Sequence, residues 1–213
     1  MKNLMFLGFA TMACSAVAQV QDFPVKELLA GNPDMMRYVE GLRAIRMGDM
    51  TDSTHYYKAA YDLLNENPAP GTTPLMKQEL NVMPVLEDDV VENDKPRLSR
   101  DYAAFKWLNV YTRTGDMMRG GDNKCKVKLI TLKPHGSACY RSYEEDHDIT
   151  TLAVAQWGAT VQLCVITDES TIIGTTYDDG GISFTRWNGT GRVKYKITNT
   201  SDTTANIALV SDH

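Results

Sequence analysis

The spacing of apolar residues changes near residue 122, and this change constrains the fold more than any other feature of the 213-residue chain. From about residue 24 to 120, apolar residues recur at the intervals of three and four that are typical of helices. From about residue 124 onward, Val, Ile and Thr become dense and turn-forming residues recur between them. The sequence therefore predicts an α+β fold, in which an N-terminal α-helical hairpin or small bundle precedes an antiparallel, jelly-roll-like β-sandwich.

The run Gly120-Gly121-Asp122-Asn123 supplies a flexible joint at this change. We therefore predict three segments: a signal peptide over 1–18, a helical region over 19–122 and a β-sandwich domain over 123–213. The last segment contains seven candidate strands and its own alternating core. For that reason we expect residues 124–213 to fold alone.

The N-terminus has the form of a secretory signal. Lys2 precedes about ten mostly apolar residues, and Ala16-Val17-Ala18 then places small residues at both positions that signal peptidase reads. We predict cleavage after Ala18 and a secreted or periplasmic protein, peripheral to a membrane at most. The alternative is a lipoprotein modified at Cys14. The formal net charge of −5 and the pI near 5.4 argue against a nucleic-acid partner.

Two helices are predicted in the first half. One begins at Pro33, carries an apolar stripe and ends at Gly48-Asp49, and the second runs from about Thr51 to Asn65. Together they form an αα-hairpin. A short helix over 74–80 and a further helix beginning near Tyr102 are also expected.

The hairpin resembles one tetratricopeptide (TPR) repeat. This resemblance implies that Gly41 lets the second helix approach closely and that Asp49 caps its start. It also implies a stripe or groove offered to a protein partner. The residues that carry it are Tyr38, Gly41, Leu42, Gly48, Asp49, Tyr57, Ala60, Leu63, Leu64 and Pro68.

The second half contains segments typical of β-strands, separated by turn signals at intervals of 8 to 12 residues that are typical of a sandwich. Val193, Tyr195 and Ile197 alternate with charged residues, so one face of their strand should be buried and the other wet. The predicted strands are 125–132, 150–156, 160–167, 171–176, 182–187, 191–199 and 204–211.

The last ~70 residues also resemble the bacterial pre-peptidase C-terminal (PPC) domain. The resemblance is carried by 158–165 with Asp168, by 174–184, and by the closing pattern of 191–201 and 205–209. It implies a jelly roll that accompanies secreted hydrolases as an accessory module. Some domains of this kind bind calcium at the linker entering the first strand.

Acidic residues lie in two places that suit such a metal site, just before the sandwich and in the turn 178–181. Calcium takes six to eight oxygen ligands, and flexible carboxylate loops provide them. Acidic turns that keep a sheet edge soluble are the alternative. The candidate calcium ligands are Glu144, Glu145, Asp146, Asp148, Asp178 and Asp179. No other cofactor is indicated.

Two tryptophans at predicted strand ends, Trp157 and Trp187, are candidates for a carbohydrate platform, with Arg186 beside the second. Packing in the core is the alternative for both rings.

Three cysteines remain after removal of the signal. Cys125 and Cys139 flank a predicted hairpin and form the candidate disulfide, whereas Cys164 falls in an apolar run. A Cys–His nucleophile pair of Cys139 with His135 or His147 is the one arrangement that suggests catalysis. The motifs GxSxG and HExxH and the P-loop are absent.

The sequence thus favours an exported, non-catalytic interaction protein with a protein partner. A calcium- or carbohydrate-binding accessory module of a secreted hydrolase system is the alternative.

Overall fold

The computed structural model describes residues 22–65, 74–93, 96–108 and 125–212. The fold is α+β with a β-sandwich, as predicted. The predicted signal peptide, Cys14 and the joint at 120–123 lie outside the described residues. Within the described ranges, no helix is both long and apolar enough to span a membrane.

In the described part of the chain, four helices precede the main sheets: α1 (Val25–Leu28), α2 (Pro33–Thr51), α3 (Thr54–Leu64) and α4 (Arg100–Leu108). Helix α2 begins as the sequence predicts, because Pro33 occupies its first turn and Asn32 Oδ1 accepts the Met35 N–H at 3.0 Å. Its predicted end at Gly48-Asp49 is wrong. The helix continues to Thr51 and ends at Asp52, whose φ of 49° is left-handed.

The glycines inside α2 serve the helix crossing. A Cβ on Gly41 would overlap Leu64 of α3, and a Cβ on Gly48 would overlap the ring of Tyr57. The close approach predicted for Gly41 is therefore confirmed, while Gly48 packs and does not cap. Asp49 does not cap α3 either, because the Tyr57 and Tyr102 hydroxyls donate to its Oδ1 at 2.6 and 2.8 Å. These two bonds tie α2 to both α3 and α4.

The predicted helix over 74–80 is wrong. This segment is extended, because the Gln78 and Leu80 N–H groups donate to the carbonyls of Cys125 and Val127 at the edge of a sheet. It contains the two-residue strand β1 (Gln78–Glu79), which is followed by β2 (Met83–Leu86).

The remaining strands follow the predicted series, with three differences. The segment predicted as one strand over 171–176 forms two short strands separated at Gly174. The break predicted at Asn188-Gly189 is absent, so two predicted strands form one. The acidic segment before residue 149 lies inside a strand and does not form a loop. The strands are β3 (Lys126–Leu132), β4 (Ser137–Ala155), β5 (Val161–Ile166), β6 (Thr171–Ile173), β7 (Thr175–Tyr177), β8 (Ile182–Asn199) and β9 (Ala205–Ser211).

Strands β4 and β8 pair antiparallel along nearly their whole length and belong to both sheets of the sandwich. Residues 151–155 of β4 pair with β9, which pairs in turn with β3, and residues 182–184 of β8 pair with β7. Their other halves lie between β2 and the β5–β6 pair. A β-bulge between Glu144 and His147 marks the passage of β4 from one sheet to the other.

Two hydrophobic cores result. One lies between the two sheets and contains Tyr140, Leu163, Trp187, Tyr195 and Leu209. Here Val193, Tyr195 and Ile197 are buried and Arg192, Lys194 and Lys196 are exposed, which confirms the predicted alternation. β9 is buried on both faces, because its alternate residues enter the other core.

The second core joins the helices to the sheet. Met35, Val39 and Leu42 of α2 belong to the same cluster as Leu152 of β4 and Phe184 of β8. Helices and sandwich therefore share a buried interior. This packing argues against the expectation that residues 124–213 fold alone, because that segment would expose one face of its sheet.

Candidate functional site

A cleft of about 440 Å³ opens where the second half of α2 meets the sandwich. Helix α2 forms one side, and the β4–β5 turn and the β7–β8 turn form the other. Its lining residues are Asp22, Arg43, Ala44, Arg46, Met47, Met50, Tyr56, Trp157, Asp178 and Asp179.

Asp178 fastens the β7–β8 turn to α2. Its Oδ2 accepts the Arg43 Nε–H at 2.7 Å, and its Oδ1 accepts Arg43 NH2 at 3.3 Å and the Phe23 N–H at 2.8 Å. The Asp178 side chain is 13% exposed, so this paired carboxylate is partly screened from solvent. These three hydrogen bonds of Asp178 fix the floor of the cleft.

Arg46 lies one helical turn after Arg43 and is 5% exposed. Its guanidinium donates to the carbonyls of Ala155, Gln156 and Asp178, which come from both turns of the sandwich. Burial lowers the pKa of Arg46, and the nearby Asp178 opposes that effect. The guanidinium therefore adds hydrogen bonds to both turns, where the Gln156 and Asp178 carbonyls also accept the Ala159 and Gly181 N–H groups.

The β7–β8 turn adopts a backbone that leaves room for this arginine. Asp178, Asp179 and Gly180 have φ values of 49°, 57° and 81°, in the left-handed region that Asp and Gly tolerate best. A Cβ on Gly181 would overlap the Arg46 guanidinium. The approach of Arg46 therefore accounts for Gly181, and the left-handed backbone accounts for the three residues before it.

The remaining lining is apolar and partly exposed. Trp157 is 38% exposed and Met50 is 42% exposed, and Met47 and Tyr56 are half-buried. The Arg46 guanidinium lies 5.8 Å from the Trp157 ring, which is within reach of a cation–π contact. Arg43 and Arg46 already donate their hydrogen bonds within the protein. A ligand in the cleft would therefore contact mainly aromatic rings and methionine thioethers.

Of the three predicted ligand-binding residues, the structure places only Trp157 in the cleft. Trp187 is 5% exposed and lies in the core between the sheets, as the core alternative expects. Arg186 points toward the helices and donates to the Leu28 carbonyl. Alternation along β8 separates the two, because neighbouring residues of a strand face opposite sides.

The six candidate calcium ligands do not come together. Residues 144–148 pair with 188–191 of β8, whereas 178 and 179 precede its first residue, Ile182. At ~3.3 Å per residue this places the two acidic groups ~20 Å or more apart along the strand. Among the described side chains, no three His, Cys, Asp or Glu residues form a metal-binding group.

Several of these carboxylates also have other partners. Asp178 holds Arg43, buried Glu144 accepts the Tyr195 hydroxyl at 3.1 Å, and Asp148 accepts Asn188 Nδ2 at 3.1 Å. The exposed Asp179 and Glu145 lie in different groups. The Asp146 side chain is outside the described residues. The described carboxylates therefore do not form one six-ligand group, and calcium binding stays a prediction.

The predicted Cys125–Cys139 disulfide is wrong, because Cys125, Cys139 and Cys164 are free thiols. β3 and β4 follow one another in sequence but do not pair, since β9 lies between them. Cys125 is buried in the core beneath the helices, and Cys139 lies opposite Lys196 on the far sheet.

The structure also gives the surroundings of the predicted nucleophile pair, Cys139 with His135 or His147. Burial raises the pKa of the Cys139 thiol, which favours the unreactive protonated form. His135 lies in an exposed turn and its Nε2 bonds Asp202 Oδ1 at 2.8 Å. The His147 side chain is outside the described residues.

Sequence reasoning missed Arg43 and Arg46. The signal in the sequence was a pair of cations three residues apart on α2. The second of them, Arg46, lies inside the apolar stripe that contains Leu42, Ile45 and Gly48. A charged residue within a buried stripe needs a partner, and here the partner is a turn more than 130 positions away in sequence.

No family model and no curated protein matches the chain. Among solved structures it is similar to the pre-peptidase C-terminal domain of collagenase from Bacillus anthracis, at 12% identity and a TM-score of 0.33, over 39% of this chain and 87% of that one. It is also similar to Aeromonas hydrophila PliG, a periplasmic lysozyme inhibitor, at 6% identity and a TM-score of 0.32, over 45% of this chain and 91% of that one.

A mutant of a family 29 carbohydrate binding module is similar at 6% identity and a TM-score of 0.28, over 42% of this chain and 75% of that one. A PPC domain is thus among the similar structures, while the TPR resemblance of the helical region finds no support. At these scores the likeness assigns neither a ligand nor a partner.

Proposed function

We propose that this chain is an exported, non-catalytic binding protein that holds a short segment of a protein partner in the cleft between α2 and Trp157. The proposal rests on one observation: an open cleft lined by Trp157, Met47, Met50 and Tyr56, whose floor is already fixed by Arg43 and Arg46. Export rests on the signal peptide that the sequence predicts over 1–18.

The lining suits apolar side chains of a peptide. Methionine side chains are flexible and polarisable, so they adapt to different partners, and exposed tryptophan is enriched among residues that dominate binding energy. A cleft of about 440 Å³ falls within the range of ligand pockets. It has room for one or two apolar side chains of a bound segment.

The rim adds a preference in charge. Asp22 and Asp179 are exposed at the cleft, whereas the charge of Asp178 is paired with Arg43. A ligand with a basic residue beside its apolar anchor would complement these two carboxylates. We therefore expect segments of the form apolar-plus-basic to bind best.

Carbohydrate is the second candidate, because Trp157 presents part of its ring on a loop, as sugar-stacking residues do. A sugar also needs several free hydrogen-bonding groups, and the three guanidinium bonds of Arg46 are made within the protein. The polar groups that remain for sugar hydroxyls are chiefly the Asp22 and Asp179 carboxylates, and this small number favours the peptide. If carbohydrate binding depends on calcium, addition of a chelator should abolish it.

The test is an unbiased selection. A displayed library of random segments of about 12 residues is panned against the protein, and affinities of the selected peptides are measured by calorimetry. Trp157→Ala and Met50→Ala should each weaken binding about thirtyfold or more, since truncation of a hot-spot residue costs about 2 kcal/mol or more. Met76→Ala is the matched control, because Met76 is 37% exposed and lies outside the cleft.

Selected peptides with an apolar residue next to Lys or Arg would support the proposal. Failure to enrich any peptide, or affinities that Trp157→Ala leaves unchanged, would contradict it. If neutral oligosaccharides bind and Trp157→Ala abolishes that binding, the ligand of the cleft is a sugar and not a peptide.

A further inference from the structure

The two outer faces of the sandwich differ. Helices cover the outer face formed by β3, β9 and the later half of β4, where Leu152, Phe184 and Val210 enter the core beneath α2. The outer face of the other sheet, formed by β2, 137–144 of β4, 191–199 of β8, β5 and β6, is open to solvent. Its outward residues are those that alternate with the buried Tyr140, Tyr195 and Leu163.

Four cations meet on this open face. Lys194 lies directly opposite Arg141, Lys196 lies opposite Cys139, and Arg192 lies opposite Tyr143, so all project to the same side. All four cations are exposed, and none forms an ion pair with a residue in the described ranges. We call Arg141, Arg192, Lys194 and Lys196 the basic face.

Exposed apolar side chains flank the basic face on both edge strands. On β2, Met83 is 56% exposed and lies opposite Arg141, and Leu86 is 45% exposed and lies opposite Cys139. On β6, Ile173 is 68% exposed and lies opposite Cys164. Tyr143 on β4 is 69% exposed.

This combination points to one kind of occupant. We infer that the basic face and its apolar flanks dock on an anionic phospholipid bilayer. Cations near such a surface attract acidic headgroups, while aliphatic side chains enter the boundary of the acyl region and tyrosine lies at headgroup level. A soluble polyanion would account for the cations but not for Met83, Leu86 and Ile173.

A symmetric dimer through this face is disfavoured, because it would bring four cations of one copy against four of the next. The chain as a whole carries a formal charge of −5, and Glu145, Asp168 and Glu169 are exposed near this sheet. Binding should therefore depend on the orientation of the basic face and weaken strongly with salt. The proposed ligand cleft lies on the helical side and stays accessible to a partner.

The test uses residues 19–213, so that the apolar segment before Ala18 cannot itself insert. Sedimentation with vesicles of phosphatidylcholine alone is compared with vesicles containing about 30 mol% phosphatidylglycerol. We expect binding to the anionic vesicles, much less to the neutral ones, and at least a tenfold loss of binding between about 0.1 M and about 0.5 M salt.

Three variants locate the contact. Lys194→Gln with Lys196→Gln should reduce the partition coefficient about twenty-fivefold, since each lysine contributes about fivefold near such a surface. Ile173→Ser should reduce it at every salt concentration. Lys26→Gln with Lys58→Gln is the matched control, because it changes the net charge equally at exposed positions on helices.

Equal loss in the control pair would overturn the inference, because binding would then follow net charge alone. Absence of binding to anionic vesicles would also overturn it. Binding to a soluble polyanion such as polygalacturonate, with none to vesicles, would assign the basic face to an acidic polysaccharide instead. All substituted side chains are exposed, so unchanged melting of each variant serves as the folding check.

Discussion

Arg43 of α2 and Asp178 of the β7–β8 turn form a two-point ion pair, with Nε–Oδ2 at 2.7 Å and NH2–Oδ1 at 3.3 Å. The same carboxylate accepts the backbone N–H of Phe23, so one side chain joins the N-terminal segment, the hairpin of helices and the sandwich. The cleft exists because this junction holds α2 at a fixed distance from Trp157.

Asp178→Asn should lower the free energy of unfolding by about 1–3 kcal/mol, because a hydrogen-bonded charge is lost while Arg43 remains. Asn tolerates the left-handed φ of 49° at this position, so backbone strain does not contribute. Asp179→Asn is the matched control, since Asp179 is exposed and has a similar φ of 57°. Urea denaturation of both variants measures the difference; equal effects would show that the ion pair contributes nothing.

Arg46→Lys should be more harmful than its retained charge suggests. A lysine has one ammonium group and cannot reach the Ala155, Gln156 and Asp178 carbonyls together, as the planar guanidinium does. We expect a loss of about 1–3 kcal/mol in unfolding free energy, since hydrogen bonds of a buried cation are lost. Arg192→Lys, at an exposed position, should change it by less than about 0.5 kcal/mol. A tolerated Arg46→Lys would mean that the turns do not depend on this side chain.

Stability should decline in alkaline solution. Burial raises the pKa of Tyr57, Tyr102, Tyr140 and Tyr195, and the hydrogen bond to Asp49 raises that of Tyr57 further. In the unfolded chain these phenols lose their protons near pH ~10, while the folded chain retains them. The stabilisation is therefore fully present below that pH and is lost as the pH rises above it.

Unfolding free energies between pH ~8 and ~11 measure this decline, with tyrosinate absorbance as the second signal. Tyr57→Phe removes one of the four groups and should make the pH dependence shallower. Tyrosinate formation by these residues without unfolding would contradict the account.

The shared core makes helices and sandwich one cooperative unit. Leu42 of α2 is fully buried in the cluster that contains Leu152 and Phe184. Leu42→Ala should destabilise the sandwich as well as the hairpin, by about 2–5 kcal/mol, and the protein should unfold in a single transition. The probes are helical circular dichroism and fluorescence of a variant that retains Trp187 alone among its tryptophans.

Two separate unfolding transitions in that experiment would show that the helices and the sandwich are independent domains, with a boundary near residue 122. Residues 124–213 expressed alone provide a second check. A poorly dispersed amide spectrum is expected, because Leu152 and Phe184 lose their cover.

The fold class could be predicted because local patterns determine it: the Pro33 helix start and the alternation of Val193, Tyr195 and Ile197 depend on neighbouring residues. The length of β4 could not, because its acidic middle has the composition of a loop and is held by pairing with β8, more than 40 residues away. Likewise, Asp178 looks like a calcium ligand in sequence. Only the long-range approach of Arg43 shows that this carboxylate already has a partner.

The proposed binding cleft is tested most directly by amide chemical shifts, recorded while a selected apolar-plus-basic peptide is titrated into the ¹⁵N-labelled protein. The account predicts that the largest changes fall on residues 43–50, on the Trp157 indole N–H and on the 178–181 turn, and that Trp157→Ala abolishes them. Changes confined to other surfaces, such as β2 and β6, would contradict the assignment of the cleft as the ligand site.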